Sequence, residues 1–158
     1  MIDDCHLRVG NDKYAIENNS YGITTLERRH ININTTSVYF DFVGKKGVEN
    51  TCVFKEKKII SLFRSLDNEF KPTQNDTFFK YYSSNGTIYN INSSHINDFL
   101  KQYGDFSAKN FRTWSANEFI IKYLYNILNN LPEEYKDLSE RNRNIIINKC
   151  VDNVSEKL

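Results

Sequence analysis

Between Ile23 and Phe54 apolar and polar positions alternate, and after Lys57 they shift to a spacing of three and four. His30–Asn34 (HININ) alternates. Ser37–Val43 (SVYFDFV) sets Val38, Phe40 and Phe42 on one face and Tyr39, Asp41 and Val43 on the other. That period of two is the mark of a half-buried strand. Val48–Phe54 (VENTCVF) is a third strand candidate, and Gly44-Lys45-Lys46-Gly47 lies between the second and third. Glycines there suit a tight turn that needs positive φ. These segments predict a three-stranded antiparallel meander. Ahead of them, Gly10 and Gly22 bracket a polar connector, with Tyr14 and Ile16 as its expected anchors.

Helical spacing begins with Ile59, Ile60, Leu62, Phe63 and Leu66, predicting a helix over Lys57–Leu66. Phe70–Asp76, with Pro72, reads as a loop. Thr77–Tyr82 and Thr87–Asn90 flank Asn85-Gly86 as a small turn or a poor hairpin. Ser93-Ser94 is placed to cap a short helix that Gly104 ends, and Ser107 to cap a longer one reaching about Leu128. Leu131–Asn142 is a charged, partly helical connector. Arg141–Leu158 carries Ile145, Ile146, Cys150, Val151, Val154 and Leu158 on one stripe. The expected class is α+β, mainly α, with one small sheet.

Composition narrows this picture without changing it. The 158 residues are enough for one domain with a real core, and 39% hydrophobic with 26% charged residues fits a soluble globular chain. No apolar run approaches the roughly 20 residues that span a bilayer, and the first residues lack the order of a signal peptide. Cys5, Cys52 and Cys150 form neither a metal-binding spacing nor an even disulfide set. Each is expected to be a small apolar residue, in an intracellular, reducing compartment. A net charge of +1 means that any basic surface is local.

Few residues stand out chemically. Arg8 precedes a glycine turn, and Lys45 and Lys46 sit at a hairpin tip, positions where cations are commonly solvated. Arg112 lies among Phe111 and Trp114 near the start of the long helix, where it pairs with Asp105 or Glu118 or awaits an anion. His30 and His95 each stand alone, as hydrogen-bonded structural histidines do. There is no Ser-His-Asp order, Gly-rich phosphate loop or paired-carboxylate motif. By residue chemistry alone the chain is a small α-rich domain that binds phosphates through Arg and Lys.

Taken in order, Leu7–Ile31 (LRVGNDKYAIENNSYGITTLERRHI), Phe42–Asn50 (FVGKKGVEN) and Ser107–Trp114 (SAKNFRTW) resemble the catalytic domain of type IB DNA topoisomerases, in particular the compact bacterial and poxvirus-type enzymes. The resemblance covers nearly the whole chain. It implies a helical DNA breaking-rejoining core with a small three-stranded antiparallel sheet, acting as a monomer on duplex DNA, without metal, nucleotide or membrane. By motif, Arg8 and Arg112 match the two phosphate-gripping arginines, and Lys45 matches the general acid that a β-hairpin carries toward the leaving 5′-oxygen. Lys109 matches a supporting basic residue. Lys46 adds a phosphate or groove contact, and Tyr14 falls in a DNA-contacting segment. Poxvirus-type enzymes carry an acidic residue where Lys46 stands, so a proton relay through that carboxylate has no counterpart here.

The resemblance also implies parts that these 158 residues do not match. The family's catalytic histidine and nucleophilic tyrosine have no residue in the matching context, and the N-terminal clamp domain is not represented. The expectation is therefore a partial catalytic domain, inactive in cleavage by itself. Two rivals stand beside it. A tyrosine recombinase shares the fold, but usually has His where Lys109 stands. A non-catalytic DNA-binding remnant would keep the cations and lose the chemistry.

Overall fold

The computed structural model describes residues 1–130 and 139–155. The chain divides into two compact units, Met1–Ala108 and Lys109–Leu158. The first holds the predicted meander: β1 (Ile31–Ile33), β2 (Val38–Val43) and β3 (Glu49–Phe54), antiparallel in the order β1-β2-β3. Phe40 sits opposite Ile31 on one side and Cys52 on the other. The alternation read from the sequence is the burial observed, since Val38, Phe40 and Phe42 face the core.

Helix α1 (Asp12–Asn18) lies ahead of the sheet, and α2 (Lys57–Phe70) packs against its inner face. Helix α2 runs one turn past the predicted end and closes on Lys71, whose φ is +42°. It buries Ile60 and Phe63, whereas Leu62 is largely exposed. Phe63 stacks on Phe78 at 5.4 Å and meets Phe40 edge-on at 5.3 Å. Such pairs add directional preference to the burial of large apolar area. One helical turn on, Asp67 receives both Arg28 Nε (2.5 Å) and Nη2 (3.0 Å), while Arg28 Nη1 donates to the Ile31 carbonyl. That half-buried fork ties α2 to the start of β1.

The ambiguous stretch around Asn85-Gly86 forms a hairpin of β4 (Lys80–Tyr82) and β5 (Ile88–Asn90), with Gly86 at φ +82°. Helix α3 (Ser93–Lys101) begins one residue earlier than expected, because Asn92 and not a serine caps it. The Asn92 Oδ1 accepts the Ser94 and His95 N–H groups. Asn97 Oδ1 in turn accepts the N–H of Ala108, the residue that opens α4.

The second unit contains α4 (Ala108–Asn129) from its second residue, Lys109, onward, and α5 (Glu140–Ser155). In α5, Ile146, Cys150 and Val154 are buried at intervals of four, while Val151, predicted on the same stripe, faces outward. Leu158 and residues 131–138 of the predicted connector lie outside the described residues.

The cysteine expectation is corrected. Cys5 and Cys52 are joined as a disulfide with Cα atoms 6.0 Å apart. The register of β3 turns Cys52 inward, and Met1, Ile2 and Cys5 pack on the same core, so two residues 47 apart in sequence meet. Cys150 is free and buried, and burial pushes its thiol pKa up. Among the described residues no helix is long and apolar enough to cross a membrane.

Candidate nucleic-acid interface

Arg8 is exposed on a segment whose neighbours are fixed. Leu7 is buried, the Arg8 carbonyl accepts the Ile23 N–H (2.9 Å), and the Val9 carbonyl accepts both the Thr24 N–H (2.7 Å) and its hydroxyl (2.8 Å). At the next residue two backbones cross. A Cβ on Gly22 would stand 2.5 Å from both Cα and N of Gly10, so this crossing admits no side chain at Gly22. Residues 11–21 form an excursion between the two glycines and contain α1. Asn11 caps the helix through its side chain, and Asn19 ends it at φ +47°. The predicted anchors do not anchor: Tyr14 is 51% and Ile16 82% exposed.

The β2–β3 turn corrects a second expectation. Gly44 has φ −98°, and it is Lys46 (φ +65°) and Gly47 (φ +75°) that take the left-handed region. A Cβ on Gly44 would push the tip of the Asn50 side chain aside and meet no backbone closely. The tip is closed by Gly44 N–H to Val48 O (2.7 Å) and Gly47 N–H to Gly44 O (3.1 Å). Lys45 and Lys46 are exposed on this small rigid frame.

The excursion and the hairpin touch. Tyr21 donates its N–H to the Val43 carbonyl (2.9 Å), two residues before Lys45, and the Lys45 ammonium lies 5.8 Å from the Tyr14 ring centroid. That is within cation–π range. Two backbone hydrogen bonds and one cation–π contact therefore link the three segments: Arg8 is tied to Ile23, Tyr21 is tied to Val43, and Tyr14 meets Lys45.

Beneath this network lies His30, half-buried, with its ring 4.3 Å from Tyr21 and 6.3 Å from Phe42. Its Nδ1 accepts the Glu27 N–H (3.0 Å). Burial lowers its pKa, Glu27 and Asp41 oppose that, and Arg29 adds to it. Arg29, overlooked in the sequence, donates to the Tyr21 hydroxyl (3.1 Å) and stands 5.9 Å from that ring's centroid. Its only signal was the Arg-Arg-His run before β1. His95 is structural, as expected, with Nδ1 accepting the Asn92 N–H.

Arg112 and Lys109 belong to the second unit, one helical turn apart on α4. Arg112 is half-buried and Lys109 exposed. Of the two acids weighed as Arg112 partners, Glu118 pairs with Lys122 one turn further on (2.5 Å). Among the described residues no group of three or more His, Cys, Asp or Glu side chains is arranged to hold a metal ion.

Residues 1–158 match the family model described as the catalytic core of eukaryotic DNA topoisomerase I. DNA topoisomerase 1B of Acanthamoeba polyphaga mimivirus is 29% identical over 130 residues, covering 78% of this chain and 38% of that protein. DNA topoisomerase 1B of Vaccinia virus (strain Western Reserve) is 26% identical over 127 residues, covering 79% and 35%. DNA topoisomerase 1 of Mycosarcoma maydis is 27% identical over 131 residues, covering 73% and 13%. The chain thus spans little more than a third of the first of these relatives and less of the others.

Proposed function

Because this chain belongs to the DNA topoisomerase I catalytic-core family, we propose that it forms part of a type IB active surface that grips duplex DNA at the phosphate to be cut. Relaxation of supercoils would then proceed by transient cleavage of one strand. A tyrosine oxygen attacks phosphorus, the 5′-oxygen leaves with a proton, and the 3′-phosphotyrosyl bond conserves the energy needed for resealing. No metal or nucleotide enters this scheme. The arginines Arg8 and Arg112 suit the phosphate oxygens, because a guanidinium presents forked donors that match them and stays charged. Lys45 suits the leaving oxygen, because an ammonium on a flexible stem can surrender a proton. Lys109, Lys46 and Tyr14 are assigned to supporting contacts with DNA.

The observation that carries this reading is the network in the first unit that ties the Arg8 segment and the Lys45 hairpin through residues 21–23. A basic residue at Lys109 supports relaxation over recombination. No residue here matches the family's histidine or nucleophilic tyrosine, so the 158-residue chain alone is assigned binding without covalent attachment.

The binding test is duplex affinity against salt concentration, expected to fall steeply because added salt makes the release of condensed counterions less favourable. No binding at low salt would sink the reading. For the chemistry, the cations are tested in a chain extended to carry histidine and tyrosine. There Lys45→Ala should slow cleavage by about two to four orders of magnitude, and a 5′-thio leaving group, which needs no proton, should recover most of that loss. Equal loss on both substrates would remove Lys45 from the general-acid role.

A further inference from the structure

A groove of about 340 Å³ opens where one side of α2 faces the β1–β2 turn. Five polar residues of the helix, Lys57, Ser61, Arg64, Ser65 and Asn68, line it beside the apolar Ile60, and Thr35 lines it from the turn. The helical five fall at successive turns of a single face. The lining thus brings two cations, three hydroxyls and an amide together with no carboxylate. Arg64 is already held in place, since its Nη2 donates to the Asn34 carbonyl (2.8 Å), and its remaining N–H groups stay available for a ligand. The acids of α2 are engaged elsewhere. Asp67 grips Arg28, and Glu69 lies near the Tyr82 hydroxyl, whose pKa it pushes up. Lys57 is the first residue of the helix, directly after the N-cap residue Glu56.

We propose that this groove is a second phosphodiester site, holding the backbone of the same duplex away from the Lys45 hairpin. The inference rests on the DNA reading above. The β1–β2 turn lies at the opposite end of β2 from the β2–β3 turn. Six strand residues separate the two ends by about 20 Å, a span of about six base steps along a duplex strand.

The full 158-residue chain is titrated with a short duplex at several salt concentrations, followed by anisotropy. Lys57→Ala/Arg64→Ala is expected to weaken binding and to flatten the log–log salt slope by about 1.8, two phosphate contacts at 0.9 each. Lys58→Ala, a neighbouring cation outside the groove, serves as the control and should change the slope by much less. Thermal melting checks that the double variant folds. Should it not fold, Ser61→Glu/Ser65→Glu leaves every cation in place, and its acidic groups should repel the duplex. In a second arm the probe is inorganic phosphate, which should shift the backbone amide resonances of Thr35, Ser61 and Ser65 in the wild type and not in the double variant.

If duplex binds and the groove variants behave like Lys58→Ala, the groove site is wrong and the DNA reading stands. If the wild type binds no duplex, the DNA reading fails. The anion site then falls with it if phosphate also leaves those resonances unmoved.

Discussion

At Lys45 the deciding contact is an aromatic ring that the sequence offered as a connector anchor and a DNA-contact candidate. Tyr14 is half exposed and buries nothing, yet its ring lies 5.8 Å from the Lys45 ammonium. An exposed contact of this kind is worth about 0.5–1 kcal/mol. The Lys45 side-chain protons should therefore show an aromatic ring-current shift that persists in Tyr14→Phe and vanishes in Tyr14→Leu, read by NMR. An unchanged shift in Tyr14→Leu would dissolve the pairing. His30 supplies a pH dependence. Its pKa is lowered chiefly by burial, so the folded chain prefers the neutral ring. That contribution is whole above the unfolded value near 6.5 and drains away as pH falls below it. Melting temperature should drop as pH is taken from about 7 toward 5, and His30→Asn, whose side-chain oxygen can still accept the Glu27 N–H, should flatten that part of the curve. Arg8, Lys45 and Arg112 stand out in the sequence through local motifs, which are read without the fold. The left-handed φ of Lys46 is not read that way, because the residue type does not mark it.

At the scale of elements, the meander could be read because one face of it is buried, and burial writes a period of two into the sequence. Helix α1 could not, because it has no buried residue and so leaves no apolar stripe to find. What holds it is the crossing of Gly10 and Gly22 at its ends. Gly22→Ala would force a methyl group against the Gly10 backbone and within 2.7 Å of the Arg8 carbonyl. Overpacking against rigid backbone costs roughly 1–3 kcal/mol. The variant should melt earlier, and it should lose duplex affinity beyond what stability accounts for, because Arg8 shifts with the strand. A variant that melts early yet binds duplex as the wild type does would separate the crossing from the site. The cap of α3 was misread for a related reason: Asn92, Ser93 and Ser94 are all good cap residues, and only the backbone path selects Asn92.

On the scale of the molecule, a net charge of +1 conceals a division of labour. Acids such as Asp67 and Glu27 are occupied with Arg28 and Arg29, leaving the hairpin lysines exposed. The family was legible from sequence because three motifs kept their order. The Cys5–Cys52 pairing was not, since an odd cysteine count hides which two will meet. That bond has a topological consequence: Arg8, Tyr14, Lys45 and Lys46 all lie inside one covalent ring. A protease that nicks the ring once, for example at exposed α1, releases no fragment. The nicked, oxidised protein should run as one species on a denaturing gel without reductant and as two with it, while a Cys5→Ser chain should separate into two under both conditions.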